Sequence, residues 1–293
     1  MKKKLTVFTP TFNRKTLLPR LYQSLCQQTS KDFVWMIIDD GSTDGTRQLV
    51  ELWQQENKVE IVFHYKKNGG MHTGHNLAYQ KIDTELNVCI DSDDCMPDDA
   101  VEKILATWDG YEDKSSVAGI IGLDADKSGN VIGTKNPSEI KIGNLTDLYK
   151  KYKATGDKKL VLRTDVVRKY PLYPEYDGEK LVPLGILYLL IGQDYNLIYS
   201  NDVYCIVEYQ AEGSSGTILK QYKQSPRGFG YARRIQIKYA QNVQDSIKSY
   251  VHLISSAIFA KDISLLWKGV NPLKSVLLLP IGILLNLWIR SKH

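Results

Sequence analysis

The stretch Phe33-Val34-Trp35-Met36-Ile37-Ile38-Asp39-Asp40-Gly41-Ser42-Thr43-Asp44-Gly45-Thr46 decides the fold. An unbroken apolar run of this length reads as a strand buried on both faces, as in a parallel sheet. It ends in acids, and the residues after it predict a turn into a helix, with Gly41 at positive φ and Asp44 as the cap. Asp39 and Asp40 are not needed for that turn, and unpaired carboxylates at a strand end are costly. The design returns at Leu86-Asn87-Val88-Cys89-Ile90 followed by Asp91-Ser92-Asp93-Asp94. In an open α/β sheet, ligands bind beyond the carboxyl ends of the strands, so both clusters face one ligand. Carboxylates crowded there repel each other unless a cation or a hydrogen-bonding ligand joins them. A ligand carrying phosphate and metal fits that demand.

Outward from these strands the pattern alternates. Residues 5–9, 33–38, 61–65 and 86–90 read as strands, and 16–28, 44–55, 72–81 and 98–108 as helices, the first with Leu17, Leu18, Leu21 and Leu25 on one face. Repeated β-α-β units imply a Rossmann-like α/β domain, its mostly parallel sheet covered by helices on both faces. After Asp109-Gly110 the rhythm loosens. Strands are expected at 117–123, 159–163, 196–199 and 203–209, helices at 145–152 and 181–191, and a loop at 170–178, where Pro171, Pro174 and Gly178 fall. From Ser225 onward the pattern is helical, with Ile247, Tyr250, Val251, Ile254 and Ile258 as an apolar stripe.

A hydrophobic content of 43% over 293 residues permits one large domain or two small ones. The cysteines, Cys26, Cys89, Cys95 and Cys205, form no CxxC pair, which argues against a disulfide framework or structural zinc and suits a reducing cytoplasm. Met1-Lys2-Lys3-Lys4 is basic, but the apolar segment after it ends at Pro10 and is too short for a signal-peptide core, so the chain is expected to start with a strand. Charge divides unevenly. Residues 214–293 carry +10 and residues 1–213 carry −5, so the two parts meet different partners.

The basic tail holds the apolar run from Val276 to Ile289, interrupted by Pro280 and Asn286. Such a run favours an anionic membrane surface over nucleic acid as partner. A single crossing needs about 20 apolar residues, so a helix lying at the interface is expected, with Trp267, Trp288, Lys274, Arg290 and Lys292 as anchors. The plainer alternative is an amphipathic helix covering the core.

The first strand ends in Thr9-Pro10-Thr11-Phe12-Asn13-Arg14 and not in a glycine-rich phosphate loop, which argues against dinucleotide oxidoreductases and P-loop kinases. Asp91-Ser92-Asp93-Asp94 fails as an EF-hand because Cys95 and Met96 occupy its fifth and sixth positions. Two carboxylates one residue apart instead present oxygens to Mg²⁺ or Mn²⁺, which takes a few carboxylates plus substrate phosphates.

In this order the three segments resemble family 2 glycosyltransferases of the GT-A fold. The resemblance is strong over about the first hundred residues and implies a role for each matching residue. Thr9, Pro10, Thr11, Asn13, Arg14, Asp39 and Asp40 would hold the nucleotide, Asp40 accepting from the imino N–H of uracil. Asp91 and Asp93 would form the DxD metal site for Mn²⁺ or Mg²⁺, Asp93 as the more direct ligand, with Asp91 and Asp94 also on the nucleotide side. Asn68, Gly70, His72 and Asn76, in a glycine-containing segment before a helix, would lie near the donor, where the helix N-terminus offers N–H groups to phosphate.

An inverting transfer also needs a base. The family often carries a Glu-Asp pair in the loop before the helix of its second half, whereas here Lys180 follows Glu179. Glu179 is chosen as the catalytic base, with Glu175 and Asp177 as substitutes.

The domains expected are a catalytic one at 1–213, divided into a nucleotide-sugar half (1–110) and an acceptor half (111–213), and a membrane-associating helical extension at 214–293. The activity implied is inverting transfer of a sugar from a UDP-sugar to a lipid-linked or membrane-held glycan at the cytoplasmic membrane face. A nucleotidyltransferase, or a membrane-docked nucleotide- and glycan-binding module without turnover, is the alternative.

Overall fold

Strand and helix alternate from Leu5 to Asp109 because the apolar runs are short, buried and separated by turn residues. β1 (Leu5–Thr11), β2 (Phe33–Asp39), β3 (Ile61–Tyr65) and β4 (Leu86–Cys89) alternate with α1 (Leu18–Gln27), α2 (Thr46–Glu56), α3 (Met71–Lys81) and α4 (Ala100–Asp109). In this computed structural model the described residues are 2–208 and 218–292. β5 (Val117–Ala125), β6 (Ile142–Gly143), α5 (Leu145–Lys150), β7 (Lys158–Arg163), α6 (Thr164–Val167), α7 (Gly185–Asp194) and β8 (Asn196–Ile206) follow.

All eight strands join one sheet in the order β3-β2-β1-β4-β7-β5-β8-β6. β1 to β4 pair in parallel, as do β5 and β8; β7 runs antiparallel between β4 and β5, and β6 antiparallel beside β8. The mixed α/β architecture with a mostly parallel sheet is the one the sequence predicts. β1, β2 and β5 are buried at every residue, as central strands covered on both faces require. Under β1 and β2, Tyr22, Trp53 and Trp35 stack, with 4.4 Å between the Tyr22 and Trp53 centroids and 5.8 Å between Trp53 and Trp35. Such pairs add about 0.5–1.5 kcal/mol each beyond their buried area.

Element ends shift by a residue or two from the sequence reading in several places, and three differences have a clear physical reason. β1 continues through Pro10 to Thr11, because Phe8 is the last β1 residue to pair with β4 and the N–H that proline lacks has no partner to lose there. α7 starts at Gly185, four residues late, since Pro183 disfavours helix at the residue before it. The two strands expected around Ser200 are one bulged strand, β8, whose irregular register is pinned by Asn136: its Nδ2 donates to Ser200 O at 2.7 Å, and its N–H donates to Asn201 Oδ1 at 2.8 Å. Tyr209, the last residue of the second expected strand, lies outside the described residues.

Among the described residues, 2–172 and 187–208 make one unit, and 173–186 with 218–292 a second. The second contains α8 (Ile218–Gln224), α9 (Pro226–Lys238), α10 (Val243–Ala260) and α11 (Pro272–Ser291). Leu253, Ile254, Ala257, Leu265 and Leu266 form its core, with a smaller cluster of Tyr222, Phe229 and Ile289. The stripe expected on α10 is rotated: Tyr250 and Ile254 are buried, but Ile247 is 43% exposed.

The α11 helix is inside-out. Asn271 caps it and Pro272 opens it, both as a first turn favours. The residues it buries are Ser275, Gly282, Asn286 and Ile289, while Leu273, Val276, Leu277, Ile281, Ile283, Leu284, Leu287 and Trp288 are exposed. Asn286 Nδ2 donates to Ser255 O at 3.2 Å, and the absent side chain of Gly282 makes room for Ile254. The helix has 20 residues where the apolar run alone predicts fewer, and it is long and apolar enough to cross a membrane.

Candidate active site

β1 lies between β2 and β4, all three parallel, so their carboxyl ends adjoin on one edge of the sheet. Thr11 pairs with Asp39, and the Asp40 N–H donates to Thr11 O at 2.8 Å. Asp91 begins the turn on the other side of β1. The two acidic turns therefore flank one strand end, about 10 Å apart at two strand spacings.

On the β2 side every polar group is either held or conspicuously unheld. Asp39 is fully buried; its Oδ1 accepts the Ser42 N–H at 2.8 Å, while its Oδ2 is buried with no hydrogen-bond partner. Thr11 Oγ1 and Asn68 Oδ1 are likewise buried without a partner. An unsatisfied buried acceptor costs about 1–3 kcal/mol, so each is an unmet demand for a donor.

The Asp40 carboxylate is saturated. Its Oδ1 accepts from Lys66 Nζ at 2.6 Å and Gly69 N at 2.9 Å, and its Oδ2 from Asn68 Nδ2 at 3.0 Å and Gly70 N at 2.7 Å. Asp40 thus folds the 66–70 segment over the end of β2, assisted by Gly41, whose positive φ of 88° and missing side chain admit Asn68 N at the closest approach. Thr9 is equally occupied: its Oγ1 accepts from Trp35 Nε1 at 3.0 Å inside the core. Asn13 joins the first two turns, its N–H donating to Ser42 Oγ at 2.8 Å and its Oδ1 accepting from Thr43 N at 2.9 Å. The cap expected at Asp44 is not where the sequence puts it: Gly45 holds the cap position at positive φ, and Asp44, one residue earlier, accepts from Thr46 N at 3.0 Å and Lys15 N at 2.9 Å to close the turn.

Residue 70 leads into α3, whose first turns are buried from His72 to Asn76. His75 Nδ1 lies 3.2 Å from Tyr79 Oη and its Nε2 3.7 Å from Cys89 Sγ. Burial, and then the neighbouring His72, push the His75 imidazole down to about 3, so it is neutral at physiological pH.

On the β4 side the carboxylates crowd together. Burial raises Asp91 above the usual carboxylate range and Asp93 adds repulsion, against an opposing pull from Lys159. Burial carries Asp94 up to about 7, with Asp91 and Asp93 adding to it and Lys159 again opposing. Asp94 Oδ1 accepts from Glu208 N at 3.2 Å, and Cys205 Sγ lies 3.5 Å from its Oδ2. Arg20 fastens the turn by donating to Asp93 O at 2.9 Å and by an ion pair with Glu208. The Asp93 side chain, half-buried, makes no hydrogen bond among the described residues.

Two members of this cluster escape the sequence reading. Asp124, on β5, is nearly fully buried with Oδ1 lacking a hydrogen bond, and Lys159, on β7, lies 3.8 Å from it. β7 delivers Lys159 by inserting between β4 and β5, and β5 brings Asp124 alongside it. No local motif marks either residue. Lys66 is missed for the same reason, since its partner Asp40 is far away in sequence.

The loop acids belong to the second unit. Glu179 accepts from Arg227 N at 3.0 Å with Oε1 and from Gly228 N at 2.9 Å with Oε2, so its carboxylate caps the first turn of α9. Glu175 and Asp177 are exposed.

Residues 6–167 match the profile described as Glycosyl transferase family 2, more than half of the chain, and the chain belongs to that family. It is a glycosyltransferase. Solved structures with the same GT-A fold include S. aureus TarS 1–349 in complex with UDP-GlcNAc, at a TM-score of 0.59 and 16% identity over 97% of this chain and 92% of that one. Another is the mannosyltransferase PcManGT from Pyrobaculum calidifontis in complex with GDP-Man and Mn²⁺, at a TM-score of 0.57 and 15% identity over 100% of this chain and 89% of that one.

Proposed function

We propose that the protein transfers a sugar with inversion from a UDP-sugar to a hydroxyl of a membrane-held glycan, using a divalent ion at the Asp91–Asp93 turn. The observation that carries this reading is the sheet edge itself. Buried acceptors without donors, Thr11 Oγ1, Asp39 Oδ2 and Asn68 Oδ1, lie on the β2 side, and an excess of carboxylates lies on the β4 side. A base and ribose supply the missing hydrogen-bond donors, a divalent ion supplies the missing positive charge, and the diphosphate that brings it supplies phosphate for the α3 N-terminus.

The residues fit such an ion. Asp91 and Asp93 offer oxygens, and no group of three or more His, Cys, Asp or Glu side chains among the described residues is arranged to hold a metal alone. The remaining ligands of Mn²⁺ or Mg²⁺ would come from diphosphate and water, as is usual for Mg²⁺. When bound, such an ion offsets charge on the departing diphosphate.

In this reading the nucleotide rests on Thr11, Asp39 and Asn68. Asp40 acts on it indirectly by shaping the 66–70 segment, since its oxygens are taken, and Thr9 acts through its bond to Trp35. Asn13, Arg14, His72, Asn76 and Asp94 complete the donor side. The base is drawn from Glu175, Asp177 and Glu179. With Glu179 capping α9, the E179Q and D177N variants separate a folding role from proton removal: loss of transfer with an unchanged melting temperature marks the base.

The inside-out α11 supports the membrane part. A contiguous apolar face beside Lys274, Arg290 and Lys292 is the composition of a helix that meets anionic lipid. Release of nucleoside diphosphate from a panel of donors, with and without Mn²⁺, tests the whole proposal. Release from no donor favours a binding module without turnover, and turnover unaffected by chelation overturns the metal.

A further inference from the structure

Lys159 sits on β7 opposite Gly122 of β5, with its side chain only 14% exposed. Its ammonium faces Asp124 Oδ1 at 3.8 Å, beyond hydrogen-bond distance, and that oxygen has no other partner. Cys205 pairs with Asp124 across β5 and β8, and its Sγ reaches Asp94, which ties Asp94 and Asp124 into one cluster. Burial alone would push the ammonium down; Cys205, Asp124, Asp91 and Asp94 together hold it well above its ordinary range. Since burial also keeps the Cys205 thiol protonated, the carboxylates are what hold Lys159 charged.

A cation placed this way has two consequences. It offsets the repulsion between Asp124, which it faces, and Asp94, which Cys205 ties to the same cluster. It also opposes the entry of a second cation into the same cluster. A donor diphosphate brings negative charge and lifts that opposition.

We propose that Lys159 is a positioning residue, a built-in counter-cation that pre-assembles the carboxylate turn and keeps its affinity for a divalent ion low until the donor diphosphate arrives with the ion. This rests on the metal-dependent, nucleotide-sugar reading above.

The test is Mn²⁺ binding to the full chain, measured by calorimetry or by the electron paramagnetic resonance of free Mn²⁺, with and without UDP. Without UDP, Lys159→Met binds Mn²⁺ at least about tenfold more tightly than the parent protein, and the tightening caused by UDP shrinks correspondingly. Its metal-free melting temperature falls and millimolar Mn²⁺ restores it. Equal or weaker Mn²⁺ binding by Lys159→Met without UDP overturns the proposal.

Asp124→Asn provides the opposite sign and keeps the test open if Lys159→Met does not fold. It removes the carboxylate that Lys159 faces, leaving more of the ammonium's charge to oppose the ion, and Mn²⁺ binding weakens by about tenfold; an unchanged affinity overturns the proposal. In the Lys159→Met background the same Asp124→Asn change has less than half that effect in logarithmic terms. Failure of the parent protein to bind Mn²⁺ even with UDP defeats the metal-dependent reading, and this inference falls with it. A parent protein that binds Mn²⁺ only with UDP, beside a Lys159→Met that behaves identically, overturns the inference alone.

Discussion

The sheet edge and the C-terminal helices are unsatisfied in opposite ways. At the edge, polar groups are buried without partners: Thr11 Oγ1, Asp39 Oδ2, Asn68 Oδ1 and Asp124 Oδ1 lack hydrogen bonds, and carboxylates stand side by side. On α11, among the described residues, apolar groups are exposed while Ser275, Gly282 and Asn286 face inward with Ile289. Folding alone selects against both arrangements, since buried polar groups want partners and apolar surface wants burial. In the reading proposed above, each region meets something outside the chain, polar and anionic in one case and apolar in the other.

The largest break in this comparison comes from the metal carboxylates. Asp91→Ala with Asp93→Ala lowers sugar transfer by about 10³-fold, by analogy with the loss of a transition-state charge stabiliser. The melting temperature of the metal-free protein does not fall, because repulsion is relieved. Product formation and calorimetry check the two halves separately, and intact transfer would falsify the assignment. On the other region, Leu277→Glu with Leu284→Glu alters two exposed positions and leaves the fold untouched. Co-sedimentation with anionic vesicles drops by about tenfold if the exposed face meets lipid, since each change costs a buried apolar side chain in the membrane. Unchanged sedimentation would make that face a site for something other than lipid.

A smaller effect sharpens the contrast by pH. His252, on α10, has an Nδ1 without a hydrogen-bond partner, and burial, then Arg233 and Lys248, lower its pKa to about 4. A folded-state value below the unfolded 6.5 means that the unfolded chain takes up the proton first. Stability is thus full above pH 6.5 and is lost as the pH falls toward 4, by about 1–2 kcal/mol once solvent screening of a partly buried ring is allowed for. His252→Gln flattens that limb of the stability curve, and an unaltered acid limb would contradict the assignment. The smallest effect is Thr11→Val. Removing a buried hydroxyl without a partner leaves stability unchanged or raises it by about 1 kcal/mol, while nucleotide affinity weakens several-fold. A loss of stability with unchanged affinity would show that the hydroxyl serves the fold.

These predictions divide along the line between what local sequence encodes and what topology brings together. Residues 33–46 and 86–94 carry their own instructions: an apolar run, then acids, then turn residues, so strands, edge and carboxylates are all legible there. Asp124 and Lys159 are not, because their link to Asp94 depends on β7 inserting between β4 and β5 and on Cys205 of β8 reaching Asp94. Asp40 is legible as a carboxylate at the strand end, but its partners are not, since the donors that saturate it come from residues 66–70. Glu179 shows the same limit, for its capping partners lie at the start of α9. The tail was legible as apolar and basic, but the inward turn of Ser275, Gly282 and Asn286 emerges only when α10 packs beside it.

Linkage between nucleotide and ion is what a shared site at the sheet edge requires. Calorimetric titration of UDP into the protein, with Mn²⁺ and then with chelator, is predicted to show affinity at least about tenfold higher with the ion, a difference that disappears in Asp93→Ala. Equal UDP affinity under both conditions, or an ion effect that survives in Asp93→Ala, would contradict it.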